Sequence, residues 1–123
     1  MKNFIANGDM IPFVASGAVA SGSGLLVGAI FCVASGTYAN GEDGVGKTTG
    51  VFELPKVGSQ AWTVGQAVYW DSANDRCTTV AEDAHFIGVA YAAVGSGADE
   101  TLGQVRLNGI AGLHTPVAVT NAV

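Results

Sequence analysis

Short apolar segments alternate with Gly-, Asn- and Asp-rich turns from one end of the chain to the other, and no helical period is sustained over three turns. The pattern predicts strands over Met10–Val14, Leu25–Val33, Thr49–Leu54, Ala67–Trp70, Phe86–Val94 and Gly103–Leu107, with a weaker one over Val117–Val119. Turn chemistry separates them at Asn40-Gly41, Asp71 to Asp75 and Gly95-Ser96-Gly97. Gln104-Val105-Arg106-Leu107 alternates cleanly, with Val105 and Leu107 on one face, and Phe52 and Leu54 share a face opposite Glu53. Leu25–Val33 does not alternate. It reads as one strand buried on both faces, or as one whose outer face meets a partner subunit. The whole predicts an all-β fold: a small antiparallel β-barrel or sandwich with Gly-rich hairpin loops and little helix.

Composition sharpens this picture. Of 123 residues, 18 are Gly and 19 are Ala, and only 12% are charged, about half the usual share, while hydrophobic content stays at 49%. One domain is expected at this length. A surface so poor in charge is most simply explained if much of it faces other protein. The net charge of −5 and the dispersal of Lys2, Lys47, Lys56, Arg76 and Arg106 argue against nucleic-acid binding, since no basic run forms. Membrane insertion is not expected: the sustained apolar run, Leu25 to Ala34, is about half the ~20 residues a spanning helix needs. Asn7, Gly8 and Asp9 likewise break any signal-like segment, so a soluble protein is expected. Cys32 and Cys77 are too few for a disulfide scaffold and read as two reduced thiols, although one bridge stays open.

The sharpest motif match is Gly41-Glu42-Asp43-Gly44-Val45-Gly46-Lys47-Thr48, which satisfies the phosphate-cradling pattern G-x-x-x-x-G-K-[ST]. Ala67-Val68-Tyr69-Trp70-Asp71 even imitates the usual partner acid. The context argues against a nucleotide site. Such a loop must open a helix whose N-terminus faces the phosphates, yet Thr49-Gly50-Val51-Phe52-Glu53-Leu54-Pro55 follows, which is strand chemistry ending in Pro. Glu42 and Asp43 would also repel the anion. Gly41, Gly46, Lys47 and Thr48 are therefore read as a decoy within a Gly-rich hairpin connection, with a P-loop-type nucleotide-binding or recombination protein as the alternative.

Other chemistry is sparse. His85 and His114 lack partners at metal-ligand spacing and read as a turn histidine and a tail histidine. The acidic pairs Glu42-Asp43, Glu82-Asp83 and Asp99-Glu100 fall at expected turns, without calcium-loop register. Trp62, Tyr69 and Trp70 read as core volume in a chain of small residues, or less simply as a ligand platform. No catalytic residue, cofactor or metal site is expected.

Several blocks, in order, resemble one family. They are Met1-Lys2-Asn3-Phe4-Ile5 with Gly8-Asp9, Ser21-Gly22 leading into Leu26-Val27-Gly28, Gly50-Val51-Phe52-Glu53-Leu54-Pro55-Lys56, Gly65-Gln66-Ala67-Val68-Tyr69-Trp70-Asp71, Ile87-Gly88-Val89-Ala90, and Val105-Arg106-Leu107-Asn108-Gly109. This series resembles the capsid cement, or decoration, proteins of tailed phages, some of which carry a recombinase label that the strand-rich pattern here does not support. Cys32 stands where the family often has Gly, and Gln66 where Asp is expected. The resemblance covers about residues 1–109 and leaves 110–123 as a last strand or tail. It implies a non-enzymatic structural protein on the capsid exterior of the virion, made in the bacterial cytoplasm. Its expected partners are the major capsid protein and itself, with a homotrimer favoured over a dimer. Residues 1–12 form either an arm or the first strand, and Asn3, Phe4, Ile5, Met10 and Ile11 are the candidate capsid contacts.

Overall fold

The computed structural model describes residues 3, 5, 6 and 8–110, together with the backbone of 114–115. Ten strands make two antiparallel sheets, the second curled into half a barrel, and the described residues contain no helix. The expected all-β class is therefore correct. Strands β1 (Met10–Val14), β2 (Gly24–Val27), β3 (Ile30–Ala34) and β4 (Asp43–Lys47) form the first sheet in the order β1-β4-β3-β2. Strands β5 (Thr49–Pro55), β6 (Ala67–Asp71), β7 (Arg76–Thr78), β8 (Ala84–Ala90) and β9 (Leu102–Asn108) form the second in the order β5-β9-β8-β6-β7. The short β10 (His114–Thr115) pairs with the start of β8, whose second half pairs with β9. The chain completes one sheet before starting the other, and Thr48 is the single residue between them.

The alternation read in the sequence is visible in β9, where Gly103, Val105 and Leu107 are buried while Gln104 and Arg106 are exposed. Several elements differ from expectation. Leu25–Val33 is a hairpin rather than one strand: Gly28 takes φ +59° and starts a two-residue turn of the kind that needs Gly first. Its apolar continuity hid the turn, because the neighbouring turn residue is Ala29. The Asp71–Asp75 turn leads into the short β7, which the sequence did not suggest. The strand expected to run to Val94 ends at Ala90, although Val94 forms an isolated bridge with Trp62. The Val117–Val119 segment lies outside the described residues.

The core lies in the hollow of the second sheet. Leu54, Trp62, Val68, Trp70, Cys77, Ile87, Val105 and Leu107 come from that sheet and its loops, while Phe31 and Val33 enter from the first. Phe31 meets Trp70 with ring centroids 4.9 Å apart. The expectation that the tryptophans supply core volume is thus correct for both; Tyr69 is half-buried and packs on Phe86 instead. The opposite face of the first sheet is covered by its own loops, with Tyr38 edge-on to Phe13 at 5.6 Å and Cys32 and Ala34 buried.

Glycines in β4 make that second covering possible. A Cβ at Gly44 would stand 2.7 Å from the Tyr38 ring, and one at Gly46 would collide with the Cys32 side chain. We expect Gly46→Val to destabilise the fold by about 1–3 kcal/mol through overpacking, despite the better strand propensity of Val. Val45→Thr, on the exposed face of the same strand, is expected to stay within about 0.5 kcal/mol. Urea unfolding of the two variants checks the contrast, and equal stabilities would contradict the packing assigned to Gly46.

Candidate interaction surface

The phosphate-loop-like segment is a strand in the middle of a sheet. Gly41 occupies the turn before β4 at φ +84°, and Asp43–Lys47 pairs with β1 on one side and β3 on the other. The segment is therefore not the hairpin connection expected from its glycines; Gly44 and Gly46 serve side-chain packing rather than a turn. Held extended between these strands, with Val45 N donating to the Tyr38 hydroxyl at 3.2 Å, its backbone cannot curl around an anion. Lys47 Nζ donates to Asp9 Oδ2 at 3.0 Å, and Thr48 donates to the Asp9 carbonyl from both N (2.9 Å) and Oγ1 (3.0 Å). Hydrogen bonding to Lys47, helped by its charge, holds the Asp9 carboxyl below its ordinary value. The two residues that would hold phosphate and magnesium in a nucleotide site here pin the start of β1.

A second polar cluster lies where loops meet the half-barrel. Lys56 is buried, and its ammonium donates to the carbonyls of Val57 (2.8 Å) and Glu100 (3.1 Å) while lying 5.6 Å from the centre of the Trp62 ring. Burial lowers its pKa, and the Glu100 carboxylate opposes that shift. Gln60 accepts from Trp62 Nε1 (3.0 Å) and Thr79 N (2.9 Å) and donates to Thr78 Oγ1 (3.2 Å). Every polar atom in this cluster has a structural partner, so it reads as a clasp between loops. Sequence reasoning missed it because Lys56 looked like one more dispersed surface charge.

Among the described residues no group of three or more His, Cys, Asp and Glu could hold a metal ion, and no helix is long and apolar enough to cross a membrane. His85 lies in β8 rather than in the Glu82-Asp83 turn, and its backbone is the register partner of His114. Gln66, noted as a departure from the family pattern, accepts from Thr63 N at 3.1 Å and closes the turn before β6.

What the structure does present is apolar surface. In β1 and β4, register pairs Met10 with Lys47, Pro12 with Val45 and Val14 with Asp43 on one face. This is the face that Phe31 and Val33 of the same sheet turn into the core. Beyond β3 no described residue covers it: Val14 is 64% exposed, and Met10, Pro12 and Val45 are exposed too. Of the contacts suggested by sequence, Met10 lies on this overhanging face, whereas Ile11 points to the other side, opposite Gly46. Asn3 and Ile5 precede β1 and are exposed, Ile5 by 90%. Phe4 lies outside the described residues.

The molecule is an all-β protein of two antiparallel sheets, one of which carries an overhanging apolar face. The chain belongs to the phage cement protein family, whose model matches residues 5–107. That description implies a structural role in association with the phage capsid. No curated protein and no solved structure matches the chain.

Both cysteines are unpaired and buried, and burial pushes their thiols up to about 11 (Cys32) and about 12 (Cys77). At pH 8 the thiolate fraction of either is then roughly one in a thousand or less. An aromatic disulfide reagent at that pH is expected to modify neither thiol in the folded protein and both after denaturation. Modification of one of them without denaturant would contradict the burial described.

Proposed function

We propose that this protein binds the outer surface of a phage capsid and reinforces it as a cement protein, with the overhanging face of β1 and β4 as its contact with the major capsid protein. The observation that carries this reading is the interruption of cover on the first sheet. Phe31 and Val33 are buried under the half-barrel, while Met10, Pro12, Val14 and Val45 on the same face are bare. Apolar surface of this kind, rimmed by Asp43 at one end and the Lys47–Asp9 pair at the other, is typical of a protein-binding patch. Asn3 and Ile5, just ahead of the ribbon, extend the apolar and polar contacts available at its Met10 end.

Reinforcement follows from number rather than from any single strong contact. Many copies on one shell make modest contacts additive, and a symmetric oligomer multiplies them again. We favour a homotrimer, made in the bacterial cytoplasm and carried on the virion exterior, with no catalytic, nucleic-acid or membrane role. The low charge suits this reading, because a weakly charged, small-residue surface loses little solvation on close approach to protein.

Co-sedimentation with empty capsid shells tests the assignment. Val14→Lys with Val45→Lys is expected to weaken shell binding by at least about tenfold while leaving the circular dichroism spectrum unchanged, since both side chains project into solvent. Undiminished binding would remove the ribbon face as the contact. Saturable binding of magnesium-ATP that is lost in Lys47→Ala would instead support a nucleotide role and overturn the cement reading.

A further inference from the structure

Among the described residues the four-stranded sheet has two free edges, and they differ. On β1, the bonds from Thr48 N to Asp9 O and from Ala15 N to Glu42 O set the alternation. Asp9, Ile11, Phe13 and Ala15 therefore bond toward β4, and Met10, Pro12 and Val14 turn their backbone groups outward. Pro12 has no N–H, so the middle donor of this edge is missing, a common protection against strand addition. On β2, the bond from Ala34 N to Ser23 O sets the alternation, so Leu25 and Val27 bond toward β3. Gly24 and Leu26 then present N–H and C=O to the open side. This edge, Gly24-Leu25-Leu26-Val27, has no Pro, no charge and no bulge.

The unprotected edge opens on a cleft of about 490 Å³ whose walls include Val19, Leu25, Pro55 and Trp70, with Asp75 as the one charge lining it among the described residues. We infer that β2 and this cleft receive the N-terminal segment of a second copy of the chain, residues 2–6, as an added strand. In an extended segment Lys2 and Phe4 fall on one face, two residues apart. That spacing sets Phe4 on the apolar wall and Lys2 toward Asp75, while main-chain bonds form to Gly24 and Leu26. The exposure of Ile5 in the single chain fits a segment whose cover comes from elsewhere.

The geometry favours a neighbour over the same chain. The donor segment leaves from β1 and the acceptor is β2, at opposite edges of the sheet and three strand spacings, roughly 14 Å, apart. The passage from β4 through Thr48 to β5 leaves the sheet between them at the same end. The nine residues ahead of β1 span roughly 30 Å when extended, enough to cross to an adjacent molecule. A donor at one edge and an acceptor at the other make a head-to-tail contact, which gives a ring when the rotation between copies closes. The inference rests on the self-association included in the function proposed above, but not on which face meets the shell.

Sedimentation equilibrium of the full chain and of a variant lacking residues 1–6 tests it, together with titration of a labelled peptide of residues 1–8 into that truncated protein. The expected result is a ring-sized oligomer for the full chain, a folded monomer for the truncation, and saturable peptide binding weakened about tenfold or more by Phe4→Ala. Lys2→Glu should weaken assembly and Asp75→Lys should restore it. A full chain that is monomeric would overturn self-association itself, leaving shell binding to be judged by co-sedimentation. An oligomer that survives truncation, or a peptide that does not bind, would overturn the strand exchange alone.

Discussion

The contact of Phe31 and Val33 with Trp70 and its surroundings is the joint on which the two sheets depend. Leu26 of β2 packs against the same cluster and the rest of the core belongs to the half-barrel and its loops, so the first sheet is attached through two strands out of four. Gly24 allows that joint to close, since a Cβ there would press into the Phe31 ring and approach Trp70 at 3.2 Å. Burial of one Phe and one Val side chain is worth about 3–6 kcal/mol, a large part of the stability of a small domain. The consequence is geometric. A sheet held by one half must overhang with the other, and the overhang exposes a face patterned like core.

How the first strand is held shows the same economy of contacts. Asp9 is fixed from three directions, by Lys47 Nζ, Thr48 N and Thr48 Oγ1, at the point where the chain enters β1. The ion pair is half-exposed and contributes little by itself. Its two companion bonds to a main-chain carbonyl set the register of β1, and register decides which residues face outward. A slip of one residue would bury Met10, Pro12 and Val14 and expose Ile11 and Phe13. The segment that looked like a phosphate cradle thus fixes the orientation of the apolar ribbon.

Much of this architecture is legible in the sequence where side chains alternate. β5 and β9 declare themselves through Phe52, Leu54, Val105 and Leu107, because a half-barrel with one wet face leaves a period of two. The reading fails where small residues replace large ones. In β4 the inward positions are Gly44 and Gly46, so the strand has no apolar periodicity and imitates a loop. In β2 and β3 both faces are covered in part, so nothing polar marks the turn at Gly28. Lys56 and Gln60 were invisible as a clasp because their partners, Glu100 and Thr79, lie far along the chain. The overhanging face itself could not be read from residue types, since Val14 and Val45 are valines like the buried Val33 and differ from it only in lying outside the core cluster.

The abundance of Gly and Ala acquires a specific meaning from these details. Small residues do not weaken the fold uniformly. Several glycines stand where one layer must approach another closely: Gly44 under Tyr38, Gly46 under Cys32, Gly103 under Trp62. Thin layers let a 123-residue chain spread two sheets over a wide area instead of concentrating one thick core. In the cement role proposed above, contact area per unit mass would matter more than the stability of an isolated copy. Scarcity of charge works in the same direction, because in that role each buried unpaired charge would subtract from a contact made by many copies. For the role proposed, a weakly charged, partly uncovered fold would gain stability from whatever covers its bare face, because a partner that binds only the folded chain shifts the folding equilibrium toward it.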